Sequence, residues 1–310
     1  MKTSLQTRVQ EALRATQHII LGKPEQLKLA FTCLLAKGHL LIEDVPGVGK
    51  TTLAQTLARV CGLDYSRVQF TSDLLPADIL GVSIFDREAS AFRWQNGPIF
   101  SQVLLADELN RASPKTQSAL LEAMEEQAVT GDGVTRALPH PFFVIATQNP
   151  LDQIGTFALP ESQLDRFLLR LSLGYPSAED ERALLEGRSR RGMLEELQPL
   201  LDAQSLAEAQ TAVAKVALRP ALAAYVHALL DASRNHSDIR LGLSPRAGIA
   251  MCRAAQSWAW LNNRDMVLPE DVQAVFVPCA THRLQSSQSQ GDHHGGAALA
   301  THLINDVAVP

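Results

Sequence analysis

Seven residues, PGVGKTT (46–52), limit what this chain can be more than any other stretch. They stand between an apolar run, HLLI (39–42), and a segment with helical periodicity, TLAQTLARV (52–60). A strand that breaks into a glycine-rich turn and reopens as a helix aims backbone N–H groups at an anion, and the helix adds its positive N-terminal end. Such a loop cradles nucleotide phosphates. Pro46, Gly47, Val48 and Gly49 form the backbone cradle, and Lys50 reaches toward the β- and γ-phosphates. Thr51 offers its hydroxyl to Mg²⁺, with Thr52 in register behind it. A plain strand-to-helix turn explains the glycines but not Gly-Lys-Thr-Thr in this order. One departure stands out: the pattern G-x-x-x-x-G-K-[ST] begins on glycine, and this chain has Asp44 there.

The rest of the chain agrees with a nucleotide-binding α/β protein. Apolar runs RVQF (67–70), VLLA (103–106) and FFVIAT (142–147) alternate with helical stretches such as PKTQSALLEAMEEQ (114–127), which predicts a parallel sheet covered on both faces. The N-terminal residues to about 18 read as an amphipathic helix. After about residue 180 the chain turns Ala- and Leu-rich and strands are not expected. The predicted division is a nucleotide-binding core at 1–184, a helical domain at 185–285, and a polar loop with a short C-terminal segment at 286–310. With 310 residues and 46% apolar content, both domains can bury real cores. Cys33, Cys61, Cys252 and Cys279 form no CxxC and read as reduced core residues. A net charge of −5 argues against non-specific nucleic-acid binding. No signal-peptide core and no long apolar run is present, so a cytoplasmic protein without a membrane span is expected. His293 and His294 lack acids or cysteines at ligand spacing and read as a solvated loop. Trp258 and Trp260 read as core of the helical domain.

In VLLADELNRASP (103–114) a buried strand runs straight into Asp107-Glu108. Two carboxylates there are costly unless the site needs charge. Ligands of parallel α/β sheets lie beyond the carboxyl ends of the strands. Asp107 would hold Mg²⁺ through water, and Glu108 would orient and deprotonate an attacking water. The strand FFVIAT ends in QNP, so Asn149 occupies a matching strand end from which an amide can align that water or touch the γ-phosphate.

LPESQLDRFLLRL (159–171) has the apolar spacing of a helix carrying Arg166 and Arg170 four residues apart. The order of these elements resembles the AAA+ ATPases. The stretches GHLLIEDVPGVGKTTLA, TSDLLPADILGVSIFD, QNGPIF, LLADELNRASPKTQSALLEAMEE, ATQNP, LPESQLDRFLLR and GLSPRAG resemble the MoxR family in particular, over about residues 18–285. That resemblance implies an AAA+ P-loop core with a parallel sheet sandwiched by helices, followed by an all-α lid domain. It matches Gly49, Lys50 and Thr51 to Walker A, Asp107 and Glu108 to Walker B, and Asn149 to sensor 1. It matches Arg166 to an arginine finger that reaches a neighbouring subunit, with Arg170 a weaker assistant, and Arg246 to the sensor 2 arginine of the lid. Ile20, Leu21 and Gly22 match the segment lining the adenine.

The activity implied is ATP hydrolysis with Mg²⁺ by a ring, usually a hexamer. Its chaperone-like output would assemble, activate or metal-load target proteins, with a von Willebrand factor A domain protein as partner. Residues 71–100 suit the family's inserted helix-2 segment, and 129–142 read as a hairpin turning at GDG; both are expected to face a pore or partner. Phe92 and Trp94 are either exposed for contact or packed within a hairpin. Two other readings stay open: a nucleic-acid-remodelling AAA+ ATPase and a monomeric P-loop kinase. The acidic balance counts against the first. Glu108, the LDRF segment and the large helical domain fit the second poorly.

Overall fold

A computed structural model describes residues 4–150, 155–187, 190–287 and 295–309. Two helices open the chain, α1 (Leu5–Ile19), capped by the Ser4 hydroxyl accepting from the Thr7 N–H, and α2 (Pro24–Leu35). Then come β1 (Leu40–Glu43), α3 (Lys50–Val60), β2 (Tyr65–Gln69), α4 (Pro76–Leu80), and the hairpin β3 (Gly81–Asp86) and β4 (Ala91–Asn96). They are followed by β5 (Val103–Asp107), α5 (Pro114–Glu126), the hairpin β6 (Ala128–Gly131) and β7 (Val134–Ala137), and β8 (Phe143–Gln148). α6 (Glu161–Leu164) and β9 (Leu169–Leu171) complete the core.

Five strands form one parallel sheet in the order β2-β5-β8-β1-β9. Side chains alternate across it, as a pleated strand requires. Leu40, Ile42, Leu105, Ile145 and Leu169 join a cluster with α1, α2 and α3. Leu41, Leu104, Ala106, Val144 and Ala146 join a second cluster with Leu120, Leu121 and Met124 of α5. Both faces are therefore covered, and that is why the strands read as continuous apolar runs.

The two hairpins pack on each other outside the sheet. The β6–β7 turn at Asp132-Gly133 has φ of +52° and +73°, a left-handed pair that matches the twist of a two-residue hairpin. Trp94 of β4 lies against Gly131, with the Arg136 guanidinium 4.0 Å above its ring. Phe92 differs: it is 74% exposed and meets the Phe85 ring edge-on, at 5.4 Å between ring centres. Trp94 is thus packed within the hairpin pair, and Phe92 faces solvent.

The segment 159–171 corrects its sequence reading. It is not one helix: α6 ends at Leu164, and Arg170 lies in β9 beside β1. There it forms an ion pair with Glu43, both groups nearly buried. Burial lowers the Arg170 pKa and the Glu43 carboxylate opposes that shift. Pairing with β1 completes the sheet and outweighs the helical spacing of the leucines.

The remaining helices are α7 (Ala178–Glu186), α8 (Arg190–Glu196), α9 (Ala203–Val213), α10 (Pro220–Asn235), α11 (Pro245–Leu261), α12 (Pro269–Ala280) and α13 (Gly296–Asp306). A second correction lies here: β10 (Ile239–Leu241) and β11 (Gln285–Ser286) pair antiparallel, so this region is not strand-free. α13 packs on α12 and α10, carrying Ala300 and Leu303 into the buried cluster. α11 packs on α2 of the core; Trp260 is buried, and Trp258 is half-buried with the Lys28 ammonium 4.2 Å over its ring. The four cysteines are free thiols, and burial pushes Cys61 and Cys279 up to about 12, so they stay protonated. His293 and His294 lie outside the described residues. Among the described residues, no helix is long and apolar enough to cross a membrane.

Candidate nucleotide site

Three parallel strands that are neighbours in the sheet end side by side, β5, β8 and β1 in that order. From β1 the chain enters 44–49, where Gly47 and Gly49 have φ of +86° and +95°. Glycine has no Cβ to oppose this left-handed backbone, and Gly49 ends the turn as the N-cap of α3. A Cβ built on either glycine meets nothing within 4 Å, so the loop's concavity is open. Lys50, Thr51 and Thr52 form the first turn of α3, and the Lys50 ammonium donates to the Asp44 carbonyl at 2.6 Å. Pro46 and Val48 complete the loop.

From β5 the chain delivers Asp107, which is 8% exposed. Its Oδ1 accepts from the Thr147 hydroxyl at 2.6 Å, and its Oδ2 pairs with Arg67 of β2 at 2.7 Å. The same Thr147 oxygen accepts the Glu108 N–H at 2.9 Å. One β8 hydroxyl therefore fixes both acids. Glu108 sits at φ +56°, ψ +48°, a left-handed conformation uncommon for a residue with a Cβ and typical of strained functional positions. Its carboxylate pairs with Arg111 at 2.9 Å. Asn149, two residues beyond Thr147, is buried at the end of β8, between the acidic pair and the phosphate loop.

Ile20, Leu21 and Gly22 reach the same edge. Gly22 turns at φ +69° against the Asp180 carboxylate, and the Lys23 ammonium donates to the Tyr175 carbonyl at 2.8 Å. The segment 172–177 in turn runs directly from β9 past Asp44.

Arg166 and Arg246 lie at the other edge. The Leu168 N–H donates to the carbonyl of His39, the residue that precedes β1, so Arg166 sits at the start of the strand. β1 has four residues and spans about 13 Å, so the phosphate loop begins at its far end. Arg246, on α11, is with Arg166: Nε of Arg166 is 3.0 Å from one oxygen of Glu125, and a guanidinium nitrogen of Arg246 is 2.8 Å from the other. Glu125 is the second-last residue of α5. The Met124 carbonyl before it is 3.4 Å from Nε2 of His39. These groups line an open groove of about 450 Å³ with Lys37, Arg253 and Arg283. Five cations against Glu125 and Asp165 leave the groove positive.

The oxygen donors at the first edge suit a hard cation such as Mg²⁺. Thr51, Asp107 and Glu108 supply them; Asp107 Oδ1 accepts one bond, from Thr147, and keeps a lone pair, while Oδ2 accepts two from Arg67. Among the described residues no group of three or more His, Cys, Asp or Glu could hold a metal alone. Sequence reading singled out the acids but not Arg67, Thr147 or Glu125, whose roles depend on strand neighbours and on two helices meeting.

Comparisons with known proteins agree with this architecture. Residues 39–169 match the ATPase family associated with various cellular activities (AAA), and residues 231–301 match the AAA lid domain. An uncharacterised Bacillus subtilis protein, YeaC, is 43% identical over 96% of this chain and 94% of its own length. The Mycobacterium tuberculosis chaperone MoxR1 is 38% identical over 97% of this chain and 82% of its own. A solved structure of a candidate ATPase from Cytophaga hutchinsonii superposes with a TM-score of 0.89 at 33% identity, covering 99% of this chain and 96% of that one. The fold is the α/β AAA+ core with its helical lid, and the chain belongs to the MoxR family of AAA+ ATPases.

Proposed function

We propose that this protein hydrolyses ATP with Mg²⁺ at sites completed between subunits of a ring, and that the resulting subunit movement remodels a target protein. One observation carries the reading: the phosphate loop, acidic pair and Asn149 share one edge of the sheet, whereas Arg166 and Arg246 share Glu125 at the opposite edge. A single copy therefore owns two halves that cannot meet within itself. A ring brings the arginine edge of one copy to the phosphate edge of the next, and a hexamer is the usual closure for this family.

In that arrangement the phosphate loop and Lys50 bind the triphosphate, and Ile20–Gly22 lie along the base. Thr51 and Asp107 would hold Mg²⁺, which would supply charge neutralisation for the triphosphate. Glu108 takes the proton of the attacking water and Asn149 fixes its direction. Arg166 and Arg246 of the neighbour meet the charge that spreads over the transferring phosphoryl, a contribution of roughly 10³–10⁵ in rate for such arginines. Phe92, on the outer hairpin, is assigned to partner contact, with a von Willebrand factor A domain protein and its client as the partners implied by family.

Mixing two inactive variants tests the shared site. Lys50→Ala keeps its arginines and Arg166→Ala keeps its phosphate loop, so their mixture regains ATPase activity that neither shows alone. No recovery in a mixture proven by sizing to co-assemble overturns the between-subunit reading.

A further inference from the structure

The departure at the head of the phosphate loop has a structural role of its own. Asp44 is buried, 6% exposed, at the position where the loop pattern carries glycine. Its backbone φ is not positive, so the fold does not need glycine there. The carboxylate has four donors. Oδ1 accepts the Val45 N–H at 2.8 Å, while Oδ2 accepts the Leu173 N–H at 2.6 Å, the Gly174 N–H at 2.7 Å and the Ser172 hydroxyl at 3.1 Å. Gly174 turns at φ +61°, which helps two successive N–H groups converge on one oxygen. The segment 172–174 is the strap that leaves β9 for α7. One residue on, the Tyr175 carbonyl receives Lys23, and the Ser177 hydroxyl caps α7. Asp180 of α7 then abuts Gly22 so closely that any Cβ at Gly22 would reach 2.2 Å from its carboxylate.

A continuous path of contacts thus runs from Asp44 through the strap to Ile20–Gly22. We infer that Asp44 is a positioning residue that registers the strap, and with it the base-binding segment, against the phosphate loop. Phosphate and base are thereby gripped as one rigid unit. The inference rests on the nucleotide reading above and adds to it a determinant of selectivity for a nucleoside triphosphate over a bare triphosphate chain.

Asp44→Gly, which restores the usual loop pattern, separates the two outcomes. Calorimetric titration of the full chain with Mg²⁺ compares ATP with inorganic tripolyphosphate. Three of the four bonds lost hold the strap and one, from Val45, lies within the loop, so ATP binding weakens by about tenfold and tripolyphosphate binding by about twofold. Amide exchange at Leu173 and Gly174 quickens in parallel. Unchanged ATP affinity, or an equal fall for both ligands, overturns the inference. If the glycine variant does not fold, Asp44→Asn keeps the size and one acceptor and shows the same direction at smaller amplitude; an unchanged ratio there overturns it equally. A wild-type chain that binds neither ligand defeats the nucleotide reading itself, a separate result.

Discussion

The two edges of the central sheet are built in different ways. The edge that carries the phosphate loop relies on backbone: glycines at positive φ, a left-handed Glu108, and a buried Thr147 hydroxyl shared by two acids. Its geometry is fixed before any ligand arrives, as electrostatic catalysis requires. The arginine edge relies on long side chains from two domains meeting on one half-exposed carboxylate, Glu125. Exposed ion pairs of this kind contribute about 0–1 kcal/mol each. A pair so weak can be surrendered to an incoming phosphate at little cost. The contrast teaches that one edge is held rigid by its backbone while the other is held by exchangeable ion pairs.

Substitutions at the two edges can break or sharpen that contrast. The largest effect belongs to the rigid edge: Glu108→Gln retains ATP binding and loses turnover by about 10²–10⁴, the usual weight of a positioned base. Equal turnover in variant and wild type in a phosphate-release assay would remove Glu108 from that role.

Next comes a pH effect at the arginine edge. His39 is fully buried, its Nδ1 accepting the Val144 N–H at 3.0 Å, and burial lowers its pKa to about 4. The unfolded chain takes up this proton near pH 6.5 and the folded one only near 4, so stability is full above the higher value and falls between them. The loss is about 3 kcal/mol at most, complete below the folded value. Urea midpoints measured across that window should fall steeply in wild type and less steeply in His39→Leu. A common slope would mean other groups govern the acid limit.

Thr147→Val follows at about 1–3 kcal/mol of stability, because it strands the Glu108 N–H and one Asp107 oxygen together. Denaturant unfolding that matches wild type would show that water replaces the hydroxyl. The smallest effect is Glu125→Ala: a severalfold change in turnover, on the order of one weak ion pair, with ATP affinity intact. A loss as deep as that of Arg166→Ala would show that the arginine edge is rigid after all.

Much of the phosphate edge could be read directly from the chain, because each of its parts is a local event. A strand end, a glycine loop and a helix start fall within PGVGKTT, and an apolar strand runs into Asp107-Glu108. The arginine edge was only half legible. Arg166 and Arg246 stand out by family resemblance, yet nothing local announces that Glu125 holds both, since that contact joins α5 to α11 across 121 residues. Likewise Arg166 and Arg170 have helical spacing, but Arg170 lies in a three-residue strand beside β1 while Arg166 precedes it. So short a strand has little local propensity, and its pairing partner decides its conformation. Asp44 looked like a defect in a pattern, and its four donors come largely from residues far along the chain, at 172–174.

The apolar cluster that joins α1 and α2 to α9, α11, α12 and α13 bears on how the chain is made. Leu27, Leu34 and Cys33 of the first domain share it with Leu206, Met251, Phe276 and Leu303. On a ribosome α1 and α2 emerge with that face bare, and the later helices α9, α11, α12 and α13 cover it. Early exposure of such a surface invites misassociation. During synthesis that face stays uncovered until α9, α11, α12 and α13 have followed it.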